Sequence, residues 1–367
     1  MTADVPVLVV AAIDLIARQS FSSGLLLDLP DAVVVTHDVD AILDGGGVRR
    51  LVTDRHGVRY DDHQPLDHAC LSCAVREDLV PTLRQLVEDG RWRQVVVALP
   101  VGADPVTVVT LLQHEIEHGT CGRAELAGMV TLVDPATLVE DLFGDELLAE
   151  RGLALGAADR RSVGEVLAHQ IECADLVATS TAPHGTPATL LQHLTMTYEP
   201  FTSWNHLDGN ELMRRRLEPA TVRSRRDPLR IPPRAARTDP DAWTLDLTSS
   251  RAFHPGRLQE RIEDLGRGAL RARGYFWLPT RPNTVCVWDG GGGQLSIGRA
   301  GSWRPQRPST RLIVTGIHRG DRARVADAFG DVLLTASETA AARSWVGRTD
   351  GFEPWLDEHA HEGIETP

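Results

Sequence analysis

The sequence predicts an α/β protein in which a parallel sheet with helices on both faces is followed by a small α+β domain. Over residues 1–206, short apolar runs rich in β-branched residues alternate with segments of helical periodicity. Residues 207–240 are rich in arginine and proline and have weak periodicity, which is typical of a linker. A new alternation of apolar and polar residues then fills residues 241–345, ahead of an acidic tail over residues 346–367.

In the first domain, residues 5–12 (VPVLVVAA) form the continuous apolar run expected of a buried parallel strand. The segment VRRLVTDRHGVRYDD predicts a hairpin that turns near His56 and Gly57. Pro81 must lie in the first turn of a helix, because it has no backbone N–H, so we expect that helix to begin near Asp78. Further strands are predicted at residues 32–36, 94–98, 128–133 and 176–179, with helices at residues 105–118 and 161–174.

In the second domain, Pro255 suits the first position of a helix that follows Phe253 and His254. Short strand-like runs separated by glycine-rich turns predict a mostly antiparallel sheet. A last helix is predicted over residues 321–329. The acidic tail is expected to be poorly ordered, because few of its residues are apolar.

Composition narrows the classes of function. The chain has 367 residues and a net charge of −13, which argues against general binding of nucleic acid, DNA included. It contains no apolar run of the roughly 18 residues that a membrane span needs and no basic secretory leader. Five unevenly spaced cysteines do not resemble a disulfide framework, so we expect a cytoplasmic protein. All 38 basic residues are arginine, which excludes every mechanism that needs a lysine.

The strongest local signal is a C-x-x-C pair formed by Cys70 and Cys73, with His68 two residues upstream. Thiolates and imidazole are the ligands that zinc prefers, and His68 is a candidate third ligand. Ser72 stands between the two cysteines, where a further thiol would have strengthened the site. Three interpretations remain open: a zinc site, an inherited site that no longer holds metal, and a redox pair.

A second pattern, HEIEH, places His114 and His118 at the spacing of a zinc-binding H-E-x-x-H helix. Cys121 follows three residues later, so on a continuous helix all three side chains would share one face. This set is a candidate metal site. The alternative interpretations are an exposed polar helix face and, least of all, a zinc protease, which would also need a cleft and a third ligand.

Several sequence motifs of the chain resemble those of the CobW-like proteins, a branch of the P-loop GTPases associated with zinc and cobalt trafficking. The family has a C-x-C-C turn followed by a helix of the type VRxDLxxTL, and this chain reads CLSC followed by AVREDLVPTL. The family's second domain opens with FHPxRL and continues into RxxGxxWLxxRP, and this chain reads FHPGRL and RARGYFWLPTRP. The resemblance spans most of the chain and implies a degenerate P-loop GTPase-like domain followed by a CobW C-terminal domain.

The departures from the family pattern concern the nucleotide. The family places G-x-x-x-x-G-K-[ST] after the first strand, whereas this chain has no glycine there before Gly24. An acidic residue that closes the family's third strand is replaced by Ala98. The base-reading Asn-Lys-x-Asp is replaced by the residues 179–182, TSTA. The three losses predict a protein that is not an enzyme and needs no nucleotide.

Within the family, the chain resembles an actinobacterial subgroup that lacks the P-loop and that, in mycobacteria, recruits a hibernation factor to ribosomes during zinc starvation. The resemblance implies a zinc-linked adaptor whose partners are the ribosome and that factor. One alternative is a zinc metallochaperone that binds metal at the C-x-x-C turn and passes it to a client protein. A second alternative is a GTPase that has kept GTP binding. The arginines of the predicted linker either contact RNA or pair with acidic surfaces of the neighbouring domains.

Overall fold

A computed structural model describes residues 4–40, 47–65, 71–156, 158–195, 201–231 and 237–357. The chain forms two compact units, each with its own sheet. The first contains the chain up to Leu142 and Glu146–Arg226, and the second contains Phe143–Asp145 and the chain from Asp227 onward. The predicted α/β class is confirmed. None of the helices in the described ranges is both long and apolar enough to cross a membrane.

The first unit is built on an eight-stranded sheet in the order β4-β3-β2-β5-β1-β6-β7-β8. Strands β2, β5, β1, β6, β7 and β8 run parallel, while β3 and β4 form the predicted hairpin and pair antiparallel beside β2. The strands are β1 (Val5–Ala12), β2 (Ala32–Asp40), β3 (Gly47–Asp54), β4 (Gly57–Pro65), β5 (Gln94–Ala98), β6 (Ala124–Val133), β7 (Leu176–Thr179) and β8 (Thr202–Ser203).

Helices cover both faces of this sheet. The connection from β1 to β2 and the connection from β5 to β6 run in opposite directions across the sheet, so right-handed crossovers place their helices on opposite faces. Leu8, Val10 and Ala12 on β1 are buried against the first of these helices. The helices of the unit are α1 (Leu15–Asp28), α2 (Leu71–Ala74), α3 (Val80–Asp89), α4 (Pro105–Glu117), α5 (Leu138–Phe143), α6 (Val163–Cys173), α7 (Gly185–Leu194), α8 (Gly209–Arg214) and α9 (Pro219–Arg226).

The structure differs from the predicted boundary between the domains. Residues 209–226, predicted to be linker, form α8 and α9 and belong to the first unit. Helix α9 contacts α4 and α6 and buries Val222. From α9, the guanidinium of Arg225 donates to the main-chain oxygens of Cys173 (3.0 Å) and Ala174 (2.6 Å) at the end of α6. An arginine-rich stretch is therefore ordered here because its charge satisfies the carbonyls of a helix C-terminus.

The second unit contains a six-stranded antiparallel sheet in the order β13-β12-β11-β14-β10-β9, as predicted. Two long helices, α10 and α11, pack against each other and against the sheet. The elements are β9 (Arg237–Thr238), β10 (Trp243–Ser249), α10 (Pro255–Gly266), β11 (Leu270–Phe276), β12 (Thr284–Gly291), β13 (Gln294–Ser302), β14 (Thr310–Gly316), α11 (Arg319–Val332), α12 (Ala336–Ala341) and α13 (Glu353–Leu356).

The prediction that the poorly ordered tail begins at residue 346 was wrong. Residues 346–357 pack on the second unit, with Phe352 and Leu356 buried in its core. Asp350 is also buried and accepts hydrogen bonds from Thr280 Oγ1 (2.6 Å) and Arg281 Nε (2.8 Å). A few apolar residues and one well-paired carboxylate are thus enough to order this acidic segment. The rest of the predicted tail, residues 358–367, lies outside the described residues.

Candidate functional site at the carboxyl edge of the sheet

The carboxyl ends of β1 and β5 meet at the point where the strand order reverses, which is where open α/β sheets bind their ligands. Only Ile13 and Asp14 connect β1 to α1. The Asp14 side chain caps α1 by accepting a hydrogen bond from the backbone N–H of Ala17 at 2.7 Å. A P-loop would present glycine-rich backbone N–H groups to phosphate at this place. Here the helix N-terminus carries its own carboxylate, which repels an anion.

Arg18, in the first turn of α1, lies between the ends of the neighbouring strands. Its side chain is fully buried and donates to the main-chain oxygen of Leu99 (2.7 Å) and to Asp38 Oδ1 (2.7 Å). Leu99 directly follows β5, and Asp38 lies near the end of β2. The guanidinium therefore joins three elements of the carboxyl edge at the switch point of the sheet.

The loop after β5, residues 99–104, is packed closely against the rest of the unit. The Gln170 side chain from α6 donates to the main-chain oxygens of Val101 (3.3 Å) and Ala103 (3.2 Å). A Cβ atom at Gly102 would lie 2.6 Å from the main-chain oxygen of Leu153. In a nucleotide switch this loop moves with the state of the γ-phosphate, whereas here side-chain and main-chain contacts from two other segments hold it.

Further along the same edge, the end of β7 is tied to the end of β6. Ser180 Oγ donates to Asp134 Oδ1 (2.9 Å), and its main-chain oxygen accepts from Ser203 Oγ (3.1 Å). In the sequence comparison with the family, Ser180 lies in the tetrapeptide that replaces the base-reading motif. Its polar groups are used for contacts within the sheet edge.

The C-x-x-C segment is described in part. Cys73 is half-buried in α2, whereas His68 and Cys70 lie outside the described residues. The helical segment begins at Leu71 and continues through a π-helical turn over Val75–Leu79 into α3. The prediction that the helix begins near Asp78 was therefore wrong, and Cys73 lies within the helical segment.

The π-helical turn explains how Pro81 is accommodated inside this helical segment. A proline in a regular α-helix removes one backbone hydrogen bond and clashes with the carbonyl four residues earlier. Here the backbone N–H of Val80 bonds to the oxygen of Val75, five residues back, which is the wider π spacing. The local widening shifts the backbone just ahead of Pro81, so the helix continues past it.

A buried polar network lies one turn beyond Cys73. Asp78 Oδ2 lies 2.5 Å from His37 Nε2 on β2, and its Oδ1 accepts from Arg50 Nη1 on β3 at 2.7 Å. The same Arg50 also donates to Thr82 Oγ1 (2.8 Å) and Asp62 Oδ2 (2.8 Å). The carboxylate thus fixes the helix to two strands, and it is satisfied by one imidazole and one guanidinium. Sequence analysis missed this network, because its members lie far apart along the chain and no local pattern joins them.

The histidine-rich pattern does not form the predicted ligand set. Helix α4 ends at Glu117, so Cys121 lies in the turn after the helix, and it is buried there. Burial raises the pKa of the Cys121 thiol to about 11, which disfavours the thiolate that binds metal. His118 Nδ1 lies 2.7 Å from the main-chain oxygen of His114. The imidazole rings of these two residues also pack together, with their centroids 4.1 Å apart. Across the part of the chain that the structure describes, no three His, Cys, Asp or Glu side chains converge as a metal site.

In the second unit, four residues of the FHPGRL motif have structural roles. Phe253 and Leu258 are buried in the core. His254 Nδ1 caps α10 by accepting from the backbone N–H of Arg257 at 3.2 Å. The Arg257 guanidinium binds both carboxylate oxygens of Glu338 (2.9 and 2.8 Å). This phrase therefore identifies a fold and not a reactive site.

Comparisons with known proteins match both units to one family. Residues 40–194 match the CobW/HypB/UreG nucleotide-binding domain, and residues 242–333 match the cobalamin synthesis protein cobW C-terminal domain. A protein of Mycobacterium tuberculosis named a zinc chaperone is 28% identical over 399 residues, which covers 97% of this chain and 95% of that protein. An uncharacterised protein of Mycobacterium bovis matches to the same extent.

Two further similarities are more distant. The zinc-regulated GTPase metalloprotein activator 1 of Dictyostelium discoideum is 20% identical over 259 residues, which covers 65% of this chain and 54% of that protein. The crystal structure of the zinc-bound YjiA GTPase from E. coli is 14% identical, with a TM-score of 0.32 over 90% of this chain and 99% of that one.

Proposed function

This chain belongs to the CobW family, and from that premise we propose that it serves zinc homeostasis without binding or hydrolysing GTP. The family's nucleotide-binding domain is of the GTPase type, and this member is diverged from it. The proposal has two parts, one about the nucleotide and one about zinc, which are supported and tested separately.

The observation that carries the first part is the occupation of the carboxyl edge by Asp14 and Arg18. The Asp14 carboxylate satisfies an N–H group at the start of α1 and adds a negative charge where a triphosphate would have to lie. The Arg18 guanidinium is already neutralised by Asp38 and bound to the Leu99 carbonyl, so it offers no free positive charge to phosphate. Binding GTP would require both contacts to break without a lysine to replace them.

Titration calorimetry of the full chain with GTP and magnesium tests this part. We expect no heat of binding and no GTP hydrolysis. Saturable heat with a stoichiometry near one would contradict the proposal and would restore the GTP-binding alternative. A variant in which Asp14 is replaced by Asn keeps a capping side chain but removes the charge, so it shows whether repulsion alone excludes the nucleotide.

The second part assigns zinc to the C-x-x-C segment. Cys70 and Cys73 would supply thiolates, and His68 a third ligand, which leaves one coordination position for a ligand from a client protein. The name of the mycobacterial relative, a zinc chaperone that matches nearly the whole chain, supports a metallochaperone as the form of this function. In that role zinc is cargo, and an incomplete ligand set favours its release to a partner with a complete one.

Metal analysis of purified protein tests the zinc assignment. We expect about one zinc ion per chain, which is lost when Cys70 or Cys73 is replaced by serine. Cys121→Ala is the matched control, because that thiol is buried and is held protonated by its surroundings. If zinc is retained in both serine variants, or lost only in the control, the C-x-x-C segment is not the zinc site.

The partners predicted from the family resemblance, a ribosome and a hibernation factor, form the finer part of the proposal. Co-sedimentation of the protein with ribosomes from zinc-depleted cells, and not from zinc-replete cells, would support the adaptor role. A deletion strain in which ribosome hibernation is unchanged under zinc starvation would contradict it. In the same strain, a client enzyme that fails to acquire zinc would favour the metallochaperone over the adaptor.

A further inference from the structure

A cavity of about 300 Å³ lies at the amino edge of the eight-stranded sheet, opposite the edge discussed above. It is bounded by α8 and by the first residues of β1 and β5. Three arginines, Arg93, Arg214 and Arg216, are among the residues that line it. We propose that this cavity binds a small phosphate monoester, with Arg93 and Arg214 holding the phosphate group.

The charge balance of the cavity is the first argument. Arg216 forms an ion pair with Glu125 at 2.7 Å. Arg93 and Arg214, in contrast, form no ion pair with any acidic side chain among the described residues. With Arg216 paired to Glu125, Arg93 and Arg214 stand against the one carboxylate of the lining, that of Asp4, which leaves a net positive charge at the cavity.

The position of the two arginines is fixed by ordered elements. Arg93 directly precedes β5, and its backbone N–H donates to the main-chain oxygen of Asp31 at 2.8 Å. Arg214 is the last residue of α8, a helix whose first residue, Gly209, packs against Leu29, the residue that follows α1. The two guanidinium groups come from parts of the chain more than a hundred residues apart. The fold therefore brings two arginines that are distant in sequence to one cavity.

The other wall residues indicate the class of ligand. The side-chain amides of Gln94 and Asn210 add uncharged donors beside the guanidinium groups. Two guanidinium groups and two amides together match the several oxygens of a phosphate dianion better than the two oxygens of a carboxylate. Pro6 and the buried Met213 provide an apolar surface for an organic substituent. The volume lies at the lower end of the range for small-molecule sites, so the ligand is small.

Titration calorimetry of the full chain with phenyl phosphate, inorganic phosphate, benzoate and phenol tests the proposal at one fixed salt concentration. We expect phenyl phosphate to bind, inorganic phosphate to compete with it, and phenol to give no heat. Arg93→Gln and Arg214→Gln should each weaken phenyl phosphate binding at least about tenfold, because each removes a charge-assisted contact. Both side chains are exposed, so neither variant should lower the unfolding temperature.

Arg84→Gln is the matched control, since Arg84 is an exposed arginine of the same unit that pairs with Glu88 on α3 and lies outside the cavity. Its affinity for phenyl phosphate should equal that of the unchanged protein. The proposal is overturned if phenyl phosphate gives no heat at millimolar concentration, if benzoate binds as tightly, or if the cavity variants bind like the control. The zinc experiment is independent of these outcomes. Heat in the GTP titration that disappears in Arg93→Gln and Arg214→Gln belongs to this cavity, whereas heat that persists in both variants belongs to another site.

Discussion

Arg18 in the first unit and Arg257 in the second make the same kind of contact. Each guanidinium binds one carboxylate and one main-chain carbonyl, Asp38 and Leu99 for the first and Glu338 and Leu333 for the second. Arg18 lies in the segment where the sequence of this chain differs from the family's phosphate-binding pattern. Arg257 belongs to the FHPGRL motif, which the chain shares with the family. Arginine thus has the same structural role at the end of β1 and at the start of α10.

A motif that a chain shares with a family and a motif that differs from the family pattern carry different information. The retained FHPGRL phrase caps a helix and fixes a later segment of the chain, so its presence indicates a fold without indicating an activity. The residues that follow β1 are more informative about the proposed function, because Asp14 and Arg18 already use the groups that a nucleotide would have to contact. Because Arg18 is buried and Arg257 is partly exposed, we expect substitutions of the two arginines to change the free energy of unfolding by different amounts.

The largest effect is expected for Arg18→Met. The substitution leaves the Leu99 carbonyl without its donor and removes the side chain that joins three elements, so the free energy of unfolding should fall by about 2–4 kcal/mol. Chemical denaturation of the full chain measures it. Arg84→Met, at an exposed site of the same unit, is the control and should leave the stability nearly unchanged. A loss of stability no greater than that of the control would mean that Arg18 does not hold the carboxyl edge together.

The next effect concerns the packed loop beside Arg18. A Cβ atom at Gly102 would lie 2.6 Å from the Leu153 oxygen, so Gly102→Ala should destabilise the protein by about 1–3 kcal/mol. Gly24→Ala is the matched control, because Gly24 lies within α1 and a Cβ atom there would have no neighbour within 4 Å. This control should raise the stability by about 0.5–1 kcal/mol, the usual gain for alanine in a helix. Equal effects of the two substitutions would show that the loop is free to move.

A smaller effect is expected for the arginine of the second unit. A double-mutant cycle of Arg257→Ala and Glu338→Ala should give a coupling of about 0.5–1 kcal/mol, because both side chains are about a quarter exposed to water. The geometry is bidentate, with distances of 2.9 and 2.8 Å, which places the expected value above that of a loose surface pair. Strictly additive single substitutions would indicate that the ion pair adds nothing.

The smallest effect is the pH dependence of that pair. The Arg257 guanidinium and the Thr335 backbone N–H lower the pKa of Glu338 below its ordinary value. A carboxyl whose pKa is lowered by folding stabilises the protein above its unfolded pKa of about 4.3. That contribution is lost as the pH falls toward the folded pKa. Denaturation at pH 7 and pH 3 should therefore show a larger loss of stability for the unchanged protein than for Glu338→Gln, and an equal loss would contradict the assignment.

Local patterns in the sequence predicted the α/β class, the hairpin near Gly57 and the antiparallel sheet of the second unit, and they indicated the family resemblance. These features follow from local periodicity, from turn residues and from phrases of consecutive residues, all of which can be read along the chain. The predicted helix start and the predicted linker were wrong because tertiary contacts and local backbone geometry overrode the rules for proline and for arginine-rich segments. The helix around Pro81 continues because a π-helical turn accommodates the proline, and α9 is ordered because Arg225 caps α6.

The contacts of the polar residues could not be predicted from the sequence, because their partners lie in distant parts of the chain. Arg18 and Leu99 are 81 positions apart, and His37 and Asp78 are 41 positions apart, so no spacing rule connects them. The same holds for the arginines of the amino-edge cavity, which look like any other arginines in the sequence. A charged side chain can be buried and paired within the protein, or it can be exposed and available to a ligand. Which of the two applies depends on the distant groups that surround it, and the packing of the sheet and its helices sets those neighbours.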